Sequence, residues 1–559
     1  MEKMRSEKSA LNVYHPEKVV TSETGAEGKQ DIVIAVDPQK RKIVFKGTQQ
    51  EASEWLKGEE GNRYQVTSIE AGGIMMPGFA DAHNHPIIWG LFDDAKDLSK
   101  FKTHEEVMNN IRDEAQSNES ELPMMFVGLI TKKLGEVSRL GLDKVSGDQS
   151  IIVIDPSFHG GWLNSAGIAE LKKLIPDSEK GKMAGEFSEY TGRVSEEFII
   201  RALELFSPTA EVLAESAEQR IEGWLGQGIT TIHDMDMTTL AQFEAFLLTK
   251  KKYEEKRGAE SFPVQRYFVS PYVMNQMLAS GGKVIKSLES AGLWKPEMFR
   301  GLGMKLLTDG SIGSYTAMLS EKYTDRDTLG VWAMQMQKMN EAIQMALEHG
   351  IENIAFHAIG DAGIKRVLES VARWEKEALA PRGSVSWRIE HFELPNQESI
   401  EQAQDLGVWV CSQPNFLSDG PDYIERLGKD RIRMICPHRK IIDAGIPMMF
   451  GSDSMPTSAL HGIWAATHAS EKEQRLSFPE ALAAYTIMAH KFAKVEGGSL
   501  NVDQKADIIV IDSKDLELMG GPAARNLGEL SEGLRQSIKA YSDLQTLKTI
   551  ASGKEVHRK

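Results

Sequence analysis

Six residues that could build or serve a metal centre lie far apart in this chain. Residues 77–86 read PGFADAHNHP, with His83 and His85 one residue apart. On a strand, alternate side chains share a face, so both imidazoles would look the same way. Lys305 lies within LGMKLLTDGSIGS, His357 within FHAIGDA, His391 within WRIEHFE and Asp453 within MMFGSDS. Neutral imidazoles and carboxylates suit zinc or a similar divalent ion. A lysine ammonium cannot ligate a cation, and is useful there only if neutralised or converted to an anion. Each residue alone has an ordinary explanation: a satisfied core or surface histidine, a surface lysine, a helix N-cap at Ser452-Asp453-Ser454. What points to one metal site is that all of them follow short apolar runs in sequence order.

Those runs are the elements that must position the site. Strands are expected at residues 228–233, 266–270, 302–307, 354–356, 386–389, 408–411 and 447–450, besides the one leading into His83. Helices are expected at 104–116, 210–227, 339–349, 364–378, 397–406 and 478–492. Strands alternating with helices give βαβ units and a parallel sheet. About eight such strands suit a (β/α)8 TIM barrel, whose chemistry sits at the C-terminal strand ends; a doubly wound open sheet is the structural alternative. The fold class is therefore α/β, with the barrel over residues 76–490. Roughly 140 residues separate His85 from the next barrel strand, too many for a βα loop. An inserted subdomain at about 90–225, with strands at 125–129 and 151–154, is expected over the barrel mouth. Residues 31–36, 42–46 and 64–69 near one end, and 506–512 and 547–550 near the other, read as strands. They predict a small β-sandwich built from residues 1–75 and 491–559.

Composition narrows the function. The chain of 559 residues is 41% hydrophobic and 26% charged, with a formal net charge of −16. An acidic chain is a poor match to nucleic acid or an anionic membrane. The expected partner is a small-molecule substrate, and a homo-oligomer is allowed. Cys411 and Cys436 fit no zinc spacing or disulfide framework and are expected to be reduced. No continuous apolar leader or membrane-length run is visible, so a cytoplasmic location is expected.

With these segments in hand, the chain resembles the amidohydrolase superfamily, and more narrowly its family 3 or YtcJ-like branch, which includes N-substituted formamide deformylase. The motifs are PGFADAHNHP (77–86), HGGWLNSAG (159–167), GITTIHDM (228–235), MKLLTDGSIGSYTA (304–317), FHAIGDAGI (356–364), RIEHFE (388–393), GSDSMPTSALHGIWAA (451–466), ALAAYTIMAH (481–490) and GSLNVDQKADIIVID (498–512). The resemblance implies that His83, His85, Lys305, His357, His391 and Asp453 hold one or two divalent metals such as zinc. It implies a carboxylated Lys305 bridging the pair. It implies hydrolysis of a small C–N substrate such as an N-substituted formamide, with Asp453 as proton shuttle. On the substrate side it suggests His159, Trp162 and Asn164, although Trp162 could be insert core and Asn164 a helix cap. His233, at the end of its strand, is a further candidate. So is Asp309, in a Gly-rich loop that lacks the Lys-Ser/Thr of a phosphate cradle and is expected to shape backbone. Arg388 and Glu390 are expected to orient the ligands.

Three rivals stand beside this reading. A deaminase on the same fold is disfavoured by Lys305 and by the lack of an acid beside His357. A phosphotriester or lactone hydrolase would use the same site. A non-catalytic regulatory barrel predicts lost ligands, and none is lost.

Overall fold

Eight parallel strands carry the site. In the computed structural model they are β1 (Phe79–Asn84), β2 (Ile229–Met237), β3 (Val264–Val269), β4 (Leu302–Leu307), β5 (Asn353–Ala358), β6 (Ser386–His391), β7 (Trp409–Ser412) and β8 (Met448–Phe450), hydrogen-bonded in that order. The structure describes residues 8–118, 123–156, 158–175, 187–195, 197–377, 379–380, 382–469, 471–520 and 545–559. The barrel is nearly closed. β8 meets β1 not by a ladder but by the Asp453 N–H donating to the His83 carbonyl at 2.8 Å. The strands are buried along almost their whole length, as parallel strands covered by helices must be. Helix Ile487–Ala493 plugs the end opposite the site: its Ala489 and Phe492 pack with Ala80, Ala82 and Phe268. The single helix expected at 478–492 is two, Phe478–Ala484 and Ile487–Ala493, broken where Thr486 leaves helical geometry (φ −135°, ψ −92°).

The two ends of the chain interlock. Ile74–Pro77 pairs antiparallel with Ile508–Ile511 in a five-stranded sheet. The period of two divides these strands between two cores. Met75, Ile508 and Val510 face the sandwich, packing with Tyr14, Ile34 and Ile550. Ile74, Met76, Ile509 and Ile511 face the barrel. A four-stranded sheet completes the sandwich, and it contains Ser9–His15, a strand the sequence reading did not find.

The insert is a five-stranded mixed sheet with strands from Lys96–Asp97 to Arg193–Ser195. One face, with Met125, Ile152, Ile154 and Leu163, joins the barrel core. The other, with Phe126, Ile151, Val153 and Trp162, packs on Val107 and Ile111 of helix His104–Ser117. Helix Ala210–Gly226 packs along Leu240–Arg257 as an outer barrel helix, so the insert's own elements end before it. Among the described residues, no helix is long and apolar enough to cross a membrane.

Candidate metal centre and active site

The sequence D-A-H-N-H at the end of β1 builds two layers. Asp81 is turned toward β8 and accepts from the Ser452 N–H (2.9 Å), the Ser452 hydroxyl (2.5 Å) and Asn84 Nδ2 (2.7 Å). Burial raises its pKa to about 6 against the pull of those hydrogen bonds. This pins β8 beside β1 with Asp453 facing the two histidines. Gly451 makes the approach possible, because a Cβ there would lie 2.4 Å from the backbone nitrogen of His83. Gly451→Ala is therefore expected to push the two strands apart and weaken metal affinity about 10–100-fold, as loss of ligand support does. A metal titration showing unchanged affinity would contradict this.

His83, His85, His357 and His391 converge at the C-terminal end of the barrel. Ring centroids are 5.2 Å apart for His83–His85, 5.0 Å for His83–His391 and 4.4 Å for His357–His391. Each ring has one nitrogen committed elsewhere. His83 Nδ1 donates to Glu390 (2.7 Å), His85 Nδ1 to the Met235 carbonyl (2.5 Å), His391 Nδ1 to Gln413 Oε1 (2.8 Å) and His357 Nε2 to the Gly310 carbonyl (3.3 Å). Those acceptors fix the tautomers and leave Nε2 of His83, His85 and His391, and Nδ1 of His357, for a cation. Burial holds His83, His357 and His391 well below the ordinary imidazole pKa, so their lone pairs stay available. Burial also lowers His85, but the hydrogen bond and charge of Asp453 outweigh it and raise the ring. The proton His85 shares with Asp453 (2.9 Å) lies where a metal ion would replace it.

Asp453 Oδ1 is 3.6 Å from His83 Nε2, close to the edge of about 3.3 Å in a tetrahedron of zinc–ligand bonds. Ligand atoms of His83, His391 and Asp453 all lie within 4.8 Å of one another. A second group, His83, Glu390 and Cys411, is equally close. It holds no cation site, because Glu390 is already bonded to His83 Nδ1 and to Arg388. The donor set thus fits a divalent ion. Lys305 projects into the same cavity from β4; burial lowers its pKa against the opposing charges of Glu390, Asp236 and Asp453. Asp453 does not cap the helix that follows it: Ser458 does, accepting from the His461 N–H.

The substrate-side candidates divide. His159 lines the cavity and packs on His357, centroids 5.1 Å apart. The other four do not line it. Trp162 is 3% exposed in the insert's outer core, because strand parity aligns it with Val153, on the face turned from the barrel. Asn164 caps helix Ser165–Leu174. Its Oδ1 accepts from Gly167 and Ile151 N–H, and its Nδ2 donates to the Gln149 and Ser146 carbonyls, leaving nothing for a substrate. His233 is buried beneath the site, where its Nδ1 faces Arg388 at 3.2 Å. Asp309 ties loops together by accepting from the Met318, Ile359 and Gly360 N–H groups.

What the sequence reading missed is the wall. The cavity, about 160 Å³, is lined above the ligands by Trp89, Phe92, Phe158, Ile199 and Leu203, with Asp236 on the β2 side. Trp89, Phe92 and Phe158 pack together with centroids 4.9–5.4 Å apart. The segment HPIIWGLF (85–92), directly after the histidines, was the available signal. Phe158→Ala is expected to raise KM about tenfold or more, the worth of burying an aromatic side chain, while Trp162→Phe leaves KM within about twofold. The reverse pattern in steady-state kinetics would put the substrate on the insert's other face.

Residues 71–557 match the amidohydrolase family. The chain belongs to that family. Its relatives include YtcJ of Bacillus subtilis, an amidohydrolase by name, 27% identical over 76% of this chain and 78% of that one. N-substituted formamide deformylase of Arthrobacter pascens is 22% identical over 86% of this chain and 90% of that one. Among solved structures, a metal-dependent hydrolase of Pyrococcus furiosus superposes with a TM-score of 0.65 at 23% identity, covering 91% of this chain and all of that one. That likeness shows the barrel fold. This amidohydrolase is accordingly an enzyme, a hydrolase of that family.

Proposed function

We propose that this amidohydrolase cleaves the C–N bond of a small amide, with His83, His85, His357, His391 and Asp453 holding zinc or a similar divalent ion. The observation that carries the reading is the convergence of these five donors and Lys305 on one small cavity with an apolar wall. Ligand cavities commonly run about 300–1,000 Å³, so this one suits a small molecule. The relative named for N-substituted formamides supports an amide of that kind. A bound divalent ion would activate a water and polarise the carbonyl. Asp453 accepts the proton of the attacking water and returns it to the leaving nitrogen. Lys305 would help hold the ions as a carboxylated anion, because an ammonium beside divalent ions would be strongly repelled in a poorly screened site.

Metal analysis of purified protein is expected to find about one to two zinc or similar ions per chain, and Lys305→Ala to lose one where two are present. A panel of N-formyl, N-acyl, carbamate and cyclic amide substrates should then reveal hydrolysis. Absence of metal, with no activation by added zinc, manganese or cobalt, would overturn the metal assignment. Activity confined to nucleobases with release of ammonia would overturn the amide assignment.

A further inference from the structure

Asp236 stands at the end of β2, three residues past the last position read as strand from the sequence. It is 7% exposed and lines the cavity beside the metal ligands. Its Oδ1 is buried without a hydrogen-bond partner; the charges of Lys305, His85 and His159 act on its carboxylate from beyond hydrogen-bond distance. Its backbone is left-handed, at φ 61°, within a β-bulge where β2 shifts register against β3 between Asp234 and Met237; such bulges re-aim side chains next to sites. A buried, unpartnered carboxylate oxygen in the wall of a ligand cavity points to a group supplied by a ligand. As a carboxylate, Asp236 would be satisfied by a hydrogen-bond donor or a positively charged group. The same cavity presents the rings of Trp89, Phe92 and Phe158, and Trp89 Nε1 is likewise buried and unpartnered. A carboxylate together with aromatic faces favours a nitrogen bearing hydrogen atoms, and still more an ammonium.

We infer that Asp236 is a specificity-determining residue that accepts a hydrogen bond from the substrate's nitrogen, selecting amides that carry an N–H and an apolar N-substituent seated on Trp89, Phe92 and Phe158. This rests on the C–N reading of the site. The nitrogen that reaches Asp236 as an amide N–H leaves as an amine, so the same carboxylate holds substrate and product. A tertiary amide offers no hydrogen there and is discriminated against.

The test uses the metal-loaded protein and the nearly isosteric Asp236→Asn, since asparagine tolerates positive φ. Calorimetric titration with benzylamine is expected to show binding to the parent protein, weakened about tenfold or more in Asp236→Asn, the worth of one hydrogen bond to a charged group. Benzyl alcohol should bind both proteins within about twofold of each other, and metal content and thermal unfolding should match. In the parent, N-benzylacetamide should exceed N-benzyl-N-methylacetamide in kcat/KM by about tenfold or more, and Asp236→Asn should narrow that ratio. Equal benzylamine affinity in the two proteins, no benzylamine binding to the parent, or loss of metal in the variant would each overturn the inference. If benzylamine discrimination holds but no amide is hydrolysed, the C–N reading falls and the nitrogen subsite stands. If amides are hydrolysed without discrimination, the reverse is true.

Discussion

Asp453→Asn is expected to fold, to keep its metal and to lose about 10²–10⁴-fold in kcat, the span of a positioned general acid/base. The Asp453 N–H donates to the His83 carbonyl, and its carboxylate reaches both His83 (3.6 Å) and His85 (2.9 Å). The backbone there is left-handed, at φ 54°, followed by Ser454 at φ 60°. Asparagine tolerates that conformation and can ligate through its carbonyl oxygen, so geometry and metal survive. What it cannot do is accept a proton and return it. In the metal-free protein with Lys305 unmodified, burial alone would raise the Asp453 carboxyl, but His83, His85 and Lys305 outweigh it and hold it below the ordinary carboxylate range. It is therefore ionised and ready to accept. Metal content by elemental analysis and kcat on the best amide of the panel decide the matter. Full metal with near-parental kcat would leave Asp453 as a ligand only, and would move the proton transfer to His159 or Asp236, the other acid/base groups lining the cavity.

The second large effect is expected beneath the metal ligands. Arg388 and Glu390 are both fully buried two residues apart on β6. Glu390 takes the Arg388 guanidinium through Nε and through Nη2 (2.7 Å), and holds His83 Nδ1 with the same Oε2. Arg388 also donates to the Ala82 carbonyl (2.8 Å) and lies between the Phe268 and Phe492 rings, 5.2 and 4.9 Å from their centroids. Glu390→Gln leaves the guanidinium charge buried and uncompensated, which costs about 3–5 kcal/mol when one partner of a buried pair is removed. It also weakens the support that fixes the tautomer of His83, lowering metal affinity about 10–100-fold. Denaturant unfolding of the metal-free protein and a separate metal titration resolve the two effects. A stability change under about 1 kcal/mol would mean that water or a shifted arginine satisfies the charge.

Much of this was legible in the chain. Leu302–Leu307 and Gln397–Leu406 lie where the apolar pattern places them. The apolar pattern ends β2 at residue 233, whereas the strand runs to Met237. The acidic run His233-Asp234-Met235-Asp236 looks like a strand's polar exit. In the fold both oxygens of Asp234 are buried without a partner, and burial lifts its pKa to about 8. A carboxyl group that is largely protonated near neutrality can continue a buried strand, whereas sequence patterning counts it as a charge. Ser9–His15 was missed because it becomes a strand through pairing with residues on both sides, Ile32–Asp37 and Tyr64–Glu70.

By itself the sequence determined the barrel, the interlocked ends and the types of the six residues at the centre, because strand periodicity and the order of polar residues after apolar runs are local properties. Only the tertiary structure decided which candidates share a cavity. Trp162 and Phe158 are four residues apart, yet one is insert core and the other cavity wall. Asn164 has every hydrogen bond met within the insert, and His233 is turned toward a buried arginine from another strand. Asp236 becomes visible only once its partners are counted in space. Whether a polar group is satisfied, and by what, depends on residues hundreds of positions away, and no local pattern encodes that.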